Sequence, residues 1–390
     1  MSRIEDLLER GIKIAAPGSV EIGDEVDASR MAPGVVIHAG CKVFGEKTSI
    51  GPGCVLGREA PATVEDCQLG EKVELKGGAF SGAVFLDGSA MGSGAQVRPG
   101  SILEEGAEMA HTVGLKQTIF FPFVVGGSLI NFCDALMAGG RSRKDHSEIG
   151  SSFIHFNYTP HGDKATASLI GDVPRGVMLN QAPIFLGGQG GLVGPVRIEY
   201  GTVQAAGLVS RKDVLEPGQL VVPSMPHSGV FPYGTAYRSV ARVIRNCMIY
   251  IGNIAALQVW YDQVRRSLME RTPHGAACFA GALRQLSSVR KERMKRLEAV
   301  VERIAGEDRA DLPDNLRGEH EALCAGWPDA KARLASAGDV ECSEKAAFLA
   351  AWNAAGAESY VERVQKLPAE AQVAGTAWLQ KIVDSAGRPA

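Results

Sequence analysis

The stretch FLDGSAMGSGAQVRPGSILEEGAEMAHTVGL, Phe85–Leu115, decides the fold. Phe85, Met91, Val97, Leu103, Met109 and Leu115 are spaced six residues apart, and Gly88, Gly94, Gly100 and Gly106 keep the same period three residues out of phase. An amphipathic helix needs apolar residues at intervals of three and four, and a half-buried strand needs alternation. A period of six satisfies neither. It fits a triangular coil in which each flat face sends one side chain inward and a small residue permits each corner. The pattern recurs more briefly in both directions, at Ile37 and Val43, Ile50 and Leu56, Leu69 and Leu75, then Leu186, Leu192 and Ile198. Ile-Gly at 22–23, 50–51 and 149–150 and Leu-Gly at 56–57 and 69–70 give the same local signature.

A coil leaves open edges above and below, so coils stabilise one another by stacking and the ends need covers. Ile4–Leu8 reads as a short helix able to cover the first coil. The repeat fades near Pro223–Pro232, and helical spacing follows: Val289, Met294, Leu297, Val301 and Ile304 form an apolar stripe among charges, with Gly306 as a stop. Val259, Trp260 and Val264 indicate an earlier helix, Ala346–Trp352 and Ala377–Val383 later ones, with Arg309–Arg317 and Gly326–Asp329 as connectors. The expected organisation is a cap helix over 1–14, a parallel β-helix over 15–230 and an α-helical extension over 231–390, the last a cap or assembly device.

Composition narrows the function classes. The chain of 390 residues has a formal net charge of -3 and no basic block, which argues against nucleic acid as a main partner. The most apolar stretch, Val243–Trp260, is interrupted by Arg245, Asn246, Asn253 and Gln258, and the N-terminus carries acidic residues where a signal peptide is apolar. Eight cysteines include no C-x-x-C pair, and reduced, mostly buried thiols in the cytoplasm are expected.

Four stretches carry a resemblance: Arg98–Gly106 (RPGSILEEG), Asn157–Lys164 (NYTPHGDK), Ile184–Val196 (IFLGGQGGLVGPV) and Ala205–Val214 (AAGLVSRKDV). In order and spacing, residues 95–213 resemble the acetyltransferase half of the bifunctional N-acetylglucosamine-1-phosphate uridyltransferase/glucosamine-1-phosphate acetyltransferase family, and weaker similarity reaches back to about residue 18. The resemblance implies a left-handed parallel β-helix, a homotrimer with sites between neighbouring β-helices, and acetyl-CoA or another acyl-CoA as co-substrate. It implies that Arg98 and Lys116 hold a sugar phosphate, that Asn157 and Tyr158 line the junction of sugar and acyl donor, and that coenzyme A runs past Gly188 and Ala206. The family's uridyltransferase domain begins with a Gly-rich nucleotide loop. No such loop is found in this sequence, and uridyltransferase activity is not expected of it.

The sequence departs from the family where chemistry is needed. The family's general base is a His, and the corresponding position falls on Asp134. A nearby Tyr becomes Met137, a Glu two before the sugar-phosphate Lys becomes Gly114, and an Arg after the last coil becomes Ser224. The interval between Lys116 and Asn157 is about one hexapeptide longer, with Phe120-Phe121-Pro122-Phe123 replacing a usual repeat. Asp134 is a candidate base, although an ordinary Asp titrates near 3.9, far from neutral. His161, in the loop after Asn157-Tyr158, is the preferred substitute, ahead of His146 and His155. Arg141–His146 (RSRKDH) is either an anion site or a solvated loop. A metal is not expected: His155 and His161 are six apart, which stacks them on consecutive faces, and no third ligand is evident. Two functions follow. One is a coenzyme-A-dependent acyltransferase acting on a sugar phosphate or nucleotide sugar. The other is a non-catalytic sugar-nucleotide-binding or assembly scaffold.

Overall fold

A computed structural model describes residues 3–154, 165–223, 237, 239–307 and 312–387. The repeat region is a parallel β-helix of about eleven turns, followed by a helical region. A turn runs along three faces, mostly as short strands, and in two turns one eight-residue strand, Val113–Phe120 or Ile130–Met137, spans the second and third faces. The first face stacks eleven strands from Lys13–Ile14 to Leu220–Val221, and its inward residues include Ile37, Leu56, Leu75, Met91 and Met109. The second face pairs Phe80, Val97, Leu115 and Phe132 in register, all buried. The third stacks Phe85, Leu103, Phe120 and Met137. The six-residue series of Phe85–Leu115 is therefore the inward column of three faces taken in turn. In-register stacking, about 4.8 Å per turn, lets every backbone group of one coil pair with the next.

Corners need left-handed backbone. Asp66, Gly82, Gln117 and Asp134 share such φ values, of 50, 55, 50 and 53°, at the corner between the second and third faces. Asp tolerates this region because its short polar side chain bonds locally, and Gly tolerates it for lack of a Cβ.

The third face differs from the others. Its outward column, Val84, Ile102, Ile119 and Leu136, is apolar and fully buried, and Leu169 continues it. A helical layer covers it. Helix α1 (Arg3–Glu9) sits at the N-terminal end with Leu7 buried, and the single turn α2 (Val173–Gly176) interrupts the coils. Beyond the coils come α3 (Ala241–Trp260), a π-turn at Tyr261–Arg265, α4 (Arg266–Met269) and α5 (Pro273–Gly306). They are followed by α6 (Asp314–Ser336), α7 (Ser343–Ala354), α8 (Tyr360–Gln365) and α9 (Ala369–Gly387). Helix α5 starts at a Thr272 cap accepting from the Gly275 N–H at 3.1 Å, with Pro273 in its first turn, and stops at Gly306 as its sequence indicates.

Helix α5 runs along the stacking axis. Gly281 lies over Gln68 and Val84, Gln285 Oε1 accepts from the Gly100 N–H at 2.8 Å, and Arg293 reaches the coil of Asp134. Twelve helical residues rise about 18 Å, which matches about four coil spacings. The extension is thus a layer along one face. Two expectations are corrected. The connector at Gly326–Asp329 lies inside α6, which carries Pro328 in its interior. Gly and Pro weaken a helix locally, but here Trp327 and Ala330 are buried and packing holds the chain helical. The connector at Arg309–Arg317 is overtaken at its end by α6, which begins at Asp314.

Trp260, Phe348, Trp352 and Trp378 form the aromatic centre of the helical layer, with ring centroids 5.2–6.5 Å apart. Among the described residues no helix is long and apolar enough to cross a membrane. All eight cysteines are free, six of them buried.

Candidate functional site

Arg98 and Lys116 occupy one position on successive coils. Val97 pairs with Leu115, the Arg98 N–H donates to Leu115 O at 2.9 Å, and Lys116 in turn pairs with Cys133. The parallel register therefore makes a ladder, Arg98–Lys116–Cys133, on the outer side of the second face beside the left-handed corner. Both cations act on the Cys133 thiol. Burial pushes it up to about 11, the negative Asp134 adds to this, and Arg98 and Lys116 oppose it. A thiol so held is neutral near pH 7 and is not a ready nucleophile, which leaves the two cations as the chemistry this ladder offers. Gly114, where the family has Glu, sits between Gln96 and Asn131, both exposed.

Asp134, the candidate base, is only 6% exposed. It lies beneath α5, where Arg293 forms an ion pair with it at 2.8 Å. Arg293 also donates to Gln117 Oε1 at 2.7 Å. The carboxylate is thus engaged by a guanidinium from the helical layer. Arg293 was not picked out from the sequence, but a signal exists. It stands four residues from both Val289 and Leu297, so a cation interrupts an apolar stripe, and a buried cation requires a partner.

Gly188 and Ala206 lie on neighbouring coils at the corner between the first and second faces. The Gly207 N–H donates to Gly188 O at 2.9 Å, and a Cβ on Gly187 would meet Ala206 N at 2.6 Å. Ala206 is exposed and Gly188 half-buried, so small residues leave main chain open at this corner. From Lys116 the coil of Gly188 is three turns on, about 14 Å along the axis. Asn157, Tyr158, His155 and His161 fall outside the described residues, as does Ser224. The strand Ser152–Ile154, the last described stretch before 155–164, pairs directly with Gly190–Leu192.

The RSRKDH segment is a small hairpin whose arginines are spent on carboxylates: Arg141 pairs with Asp145, and Arg143 with Glu108 at 2.7 Å. A second buried ionic cluster went unread in the sequence. Glu104 and Glu105, at the corner after Ser101–Leu103, meet Arg265 in the π-turn, and the Tyr261 hydroxyl donates to Glu104 at 2.6 Å. Arg265 also lies over the Tyr360 ring, 3.8 Å from its centroid. One buried guanidinium faces two carboxylates. Burial raises both carboxyls, Arg265 opposing it, and Glu105 is pushed up to about 7.

Fold and site together define a class: a hexapeptide-repeat parallel β-helix with a basic ladder on one face and a helical layer sealing another. No protein-family model matches the chain. The curated relatives it matches are bifunctional GlmU proteins. That of Oleidesulfovibrio alaskensis is 29% identical over 216 residues, 55% of this chain and 42% of the relative. That of Pelobacter propionicus is 28% identical over 226 residues, 57% of this chain and 43% of the relative, and that of Acinetobacter baumannii strain AYE is 30% identical over 219 residues, 54% and 42%. The β-helical part of this chain is a homologue of GlmU, and the chain spans less than half the length of those relatives.

Proposed function

We propose that this protein is a coenzyme-A-dependent acyltransferase of the hexapeptide-repeat class acting on an amino or hydroxyl group of a sugar phosphate or nucleotide sugar. The observation that carries this reading is the in-register pair Arg98 and Lys116, two cations on successive coils suited to one phosphate. In the proposal Asn157 and Tyr158 line the acceptor, and acetyl-CoA or another acyl-CoA runs past Gly188 and Ala206. His161 removes the acceptor proton as the acceptor attacks the thioester carbonyl, and coenzyme A leaves as the thiol. Most of the rate comes from holding acceptor and thioester together. Asp134, engaged by Arg293, is a positioning residue that ties α5 to the site.

The sites form between subunits of a cytoplasmic homotrimer in this reading. Phe185, Val203 and Leu220 support a neighbour, because they stack in register as exposed apolar residues on the first face. A trimeric mass by light scattering is expected; a monomer at micromolar concentration refutes the assembly.

The test of activity is release of free thiol from acetyl-CoA over a panel of sugar phosphates and amino-sugar nucleotides. Turnover lost in His161→Ala supports the assignment, and unchanged turnover removes His161 from it. The engagement of Asp134 favours a second reading, a non-catalytic sugar-nucleotide-binding or assembly scaffold. No turnover, with a nucleotide sugar still raising the melting temperature, selects that reading.

A further inference from the structure

Helix α5 has a flank that its packing does not use. Arg284, Ser288, Lys291 and Lys295 recur at intervals of four, three and four, so they form one stripe. The stripe borders a cleft of about 600 Å³ whose other wall includes Gln117, the residue after Lys116. Gln117 is also the partner of Arg293, which stands between Lys291 and Lys295 in sequence but points into the β-helix. The helix is therefore pinned with its basic flank alongside the coil that carries Lys116.

The cations of this flank are only partly offset by Asp66 and Glu292. Among the described residues Arg284, Lys291 and Lys295 make no ion pair, and neither do Arg98 and Lys116. The one carboxylate lining the cleft, Glu292, is bonded to Arg296 at 2.7 Å. Partial burial pushes the Arg284 guanidinium down, and the like charge of Arg30 adds to this, while Asp66 opposes it only in part. Lys291 and Lys295, four apart on a helix, repel one another and add nothing to its stability. Along this cleft, which the β-helix meets at Gln117, the stripe offers one sign of charge to an anionic ligand.

We propose that this flank of α5 is a second wall of the anion site at Arg98 and Lys116, and that the groove between them takes the diphosphate of a nucleoside diphosphate group. The proposal rests on the sugar-phosphate reading above and extends it. One phosphate is satisfied by two cations. Arg284 to Lys295 adds three more over about 16 Å of helix, a row suited to successive phosphates. The shared chemistry is a nucleotide pyrophosphate, and it has two sources here: a nucleotide sugar, or the adenosine diphosphate arm of coenzyme A.

The experiment is calorimetric titration of the full-length protein with UDP-N-acetylglucosamine, coenzyme A and glucosamine 1-phosphate, each at low and moderate salt. The proteins compared are the wild type, K291Q/K295Q and R98Q/K116Q. Lys291 and Lys295 are exposed residues lining the cleft, Lys116 is half-buried on the β-helix, and circular dichroism checks folding of both variants. Loss of two charge-assisted contacts predicts that K291Q/K295Q weakens one of the two nucleotides about tenfold, with a smaller salt dependence, while glucosamine 1-phosphate binds within about twofold of wild type. The nucleotide that weakens identifies the source. Unchanged affinity for both nucleotides, failure of wild type to bind either, or an equal loss for glucosamine 1-phosphate overturns the proposal. R98Q/K116Q reads the underlying site separately: normal glucosamine 1-phosphate binding in that variant refutes the sugar-phosphate reading, whatever the α5 variant does.

Discussion

Asp134 takes a left-handed corner, φ 53°, and turns its carboxylate toward Arg293 of a helix about 160 residues further along the chain. Both side chains are buried, at 8 and 5% exposure, so neither charge has water as a substitute partner. Such a pair adds little net stability, but breaking it is costly because the remaining charge is stranded. Arg293→Ala is expected to cost about 3–5 kcal/mol, read as a shift in the urea midpoint; a change within experimental error removes the pair from the account of how α5 is held. A neutral imidazole at this corner would not need a guanidinium above it, whereas a buried carboxylate does. The Asp134 carboxylate and the Arg293 guanidinium therefore depend on one another.

Among the elements, α5 depends on close approach. A Cβ on Gly281 would come within 2.2 Å of Gln68 Oε1 and 2.9 Å of Val84. Gly281→Leu forces the helix away from the third face, and overpacking of this kind is expected to cost about 1–3 kcal/mol. The check is a lower melting temperature together with increased binding of an apolar dye, and a variant as stable as wild type would show that the helix is free to lift. The π-turn at Tyr261–Arg265 carries a second prediction. The carboxyls of Glu104 and Glu105 are raised by burial, so the folded state holds protons that the unfolded chain has already released. Stability therefore falls as pH rises above the ordinary Glu range near 4.5, and the share that belongs to Glu105 is fully lost above about 7. Glu105→Gln should flatten this slope in denaturation series at pH 5, 6, 7 and 8. An equally steep fall in the variant assigns the slope to other groups.

At the scale of the molecule, the third face explains why the chain has a helical half. Val84, Ile102, Ile119, Leu136 and Leu169 point outward yet are buried. A fragment of residues 1–223 lacks α3 to α9 and exposes this row as one continuous apolar strip, so it should associate or precipitate where the full chain stays dispersed. Light scattering on the two, at equal concentration, decides it; a well-behaved monomeric fragment refutes the view that the helices are a structural cover. The cover also shapes the candidate site. It brings Arg293 onto Asp134 and places the Arg284–Lys295 flank beside Gln117, the residue after Lys116.

Period six at Phe85–Leu115 determined the β-helix, because only a three-sided coil gives one inward side chain every six residues. The stripe Val289–Ile304 likewise determined a helix with one apolar side. Two further signals were present in the sequence: adjacent apolar pairs, Val84-Phe85, Ile102-Leu103, Ile119-Phe120 and Leu136-Met137, and a cation at 293 inside an apolar stripe. The first says that one face is covered on both sides, and the second says that a buried charge awaits a partner. Neither names the partner, since contact between residues 134 and 293 depends on how a helix docks on a sheet and not on local spacing. Arg98 and Lys116 show the same limit in a milder form. Eighteen residues apart in the chain, they become neighbours only through parallel register. Local physics thus specifies coils and helices, while the pairings of charge that make a site arise from long-range packing, which no short stretch of sequence encodes.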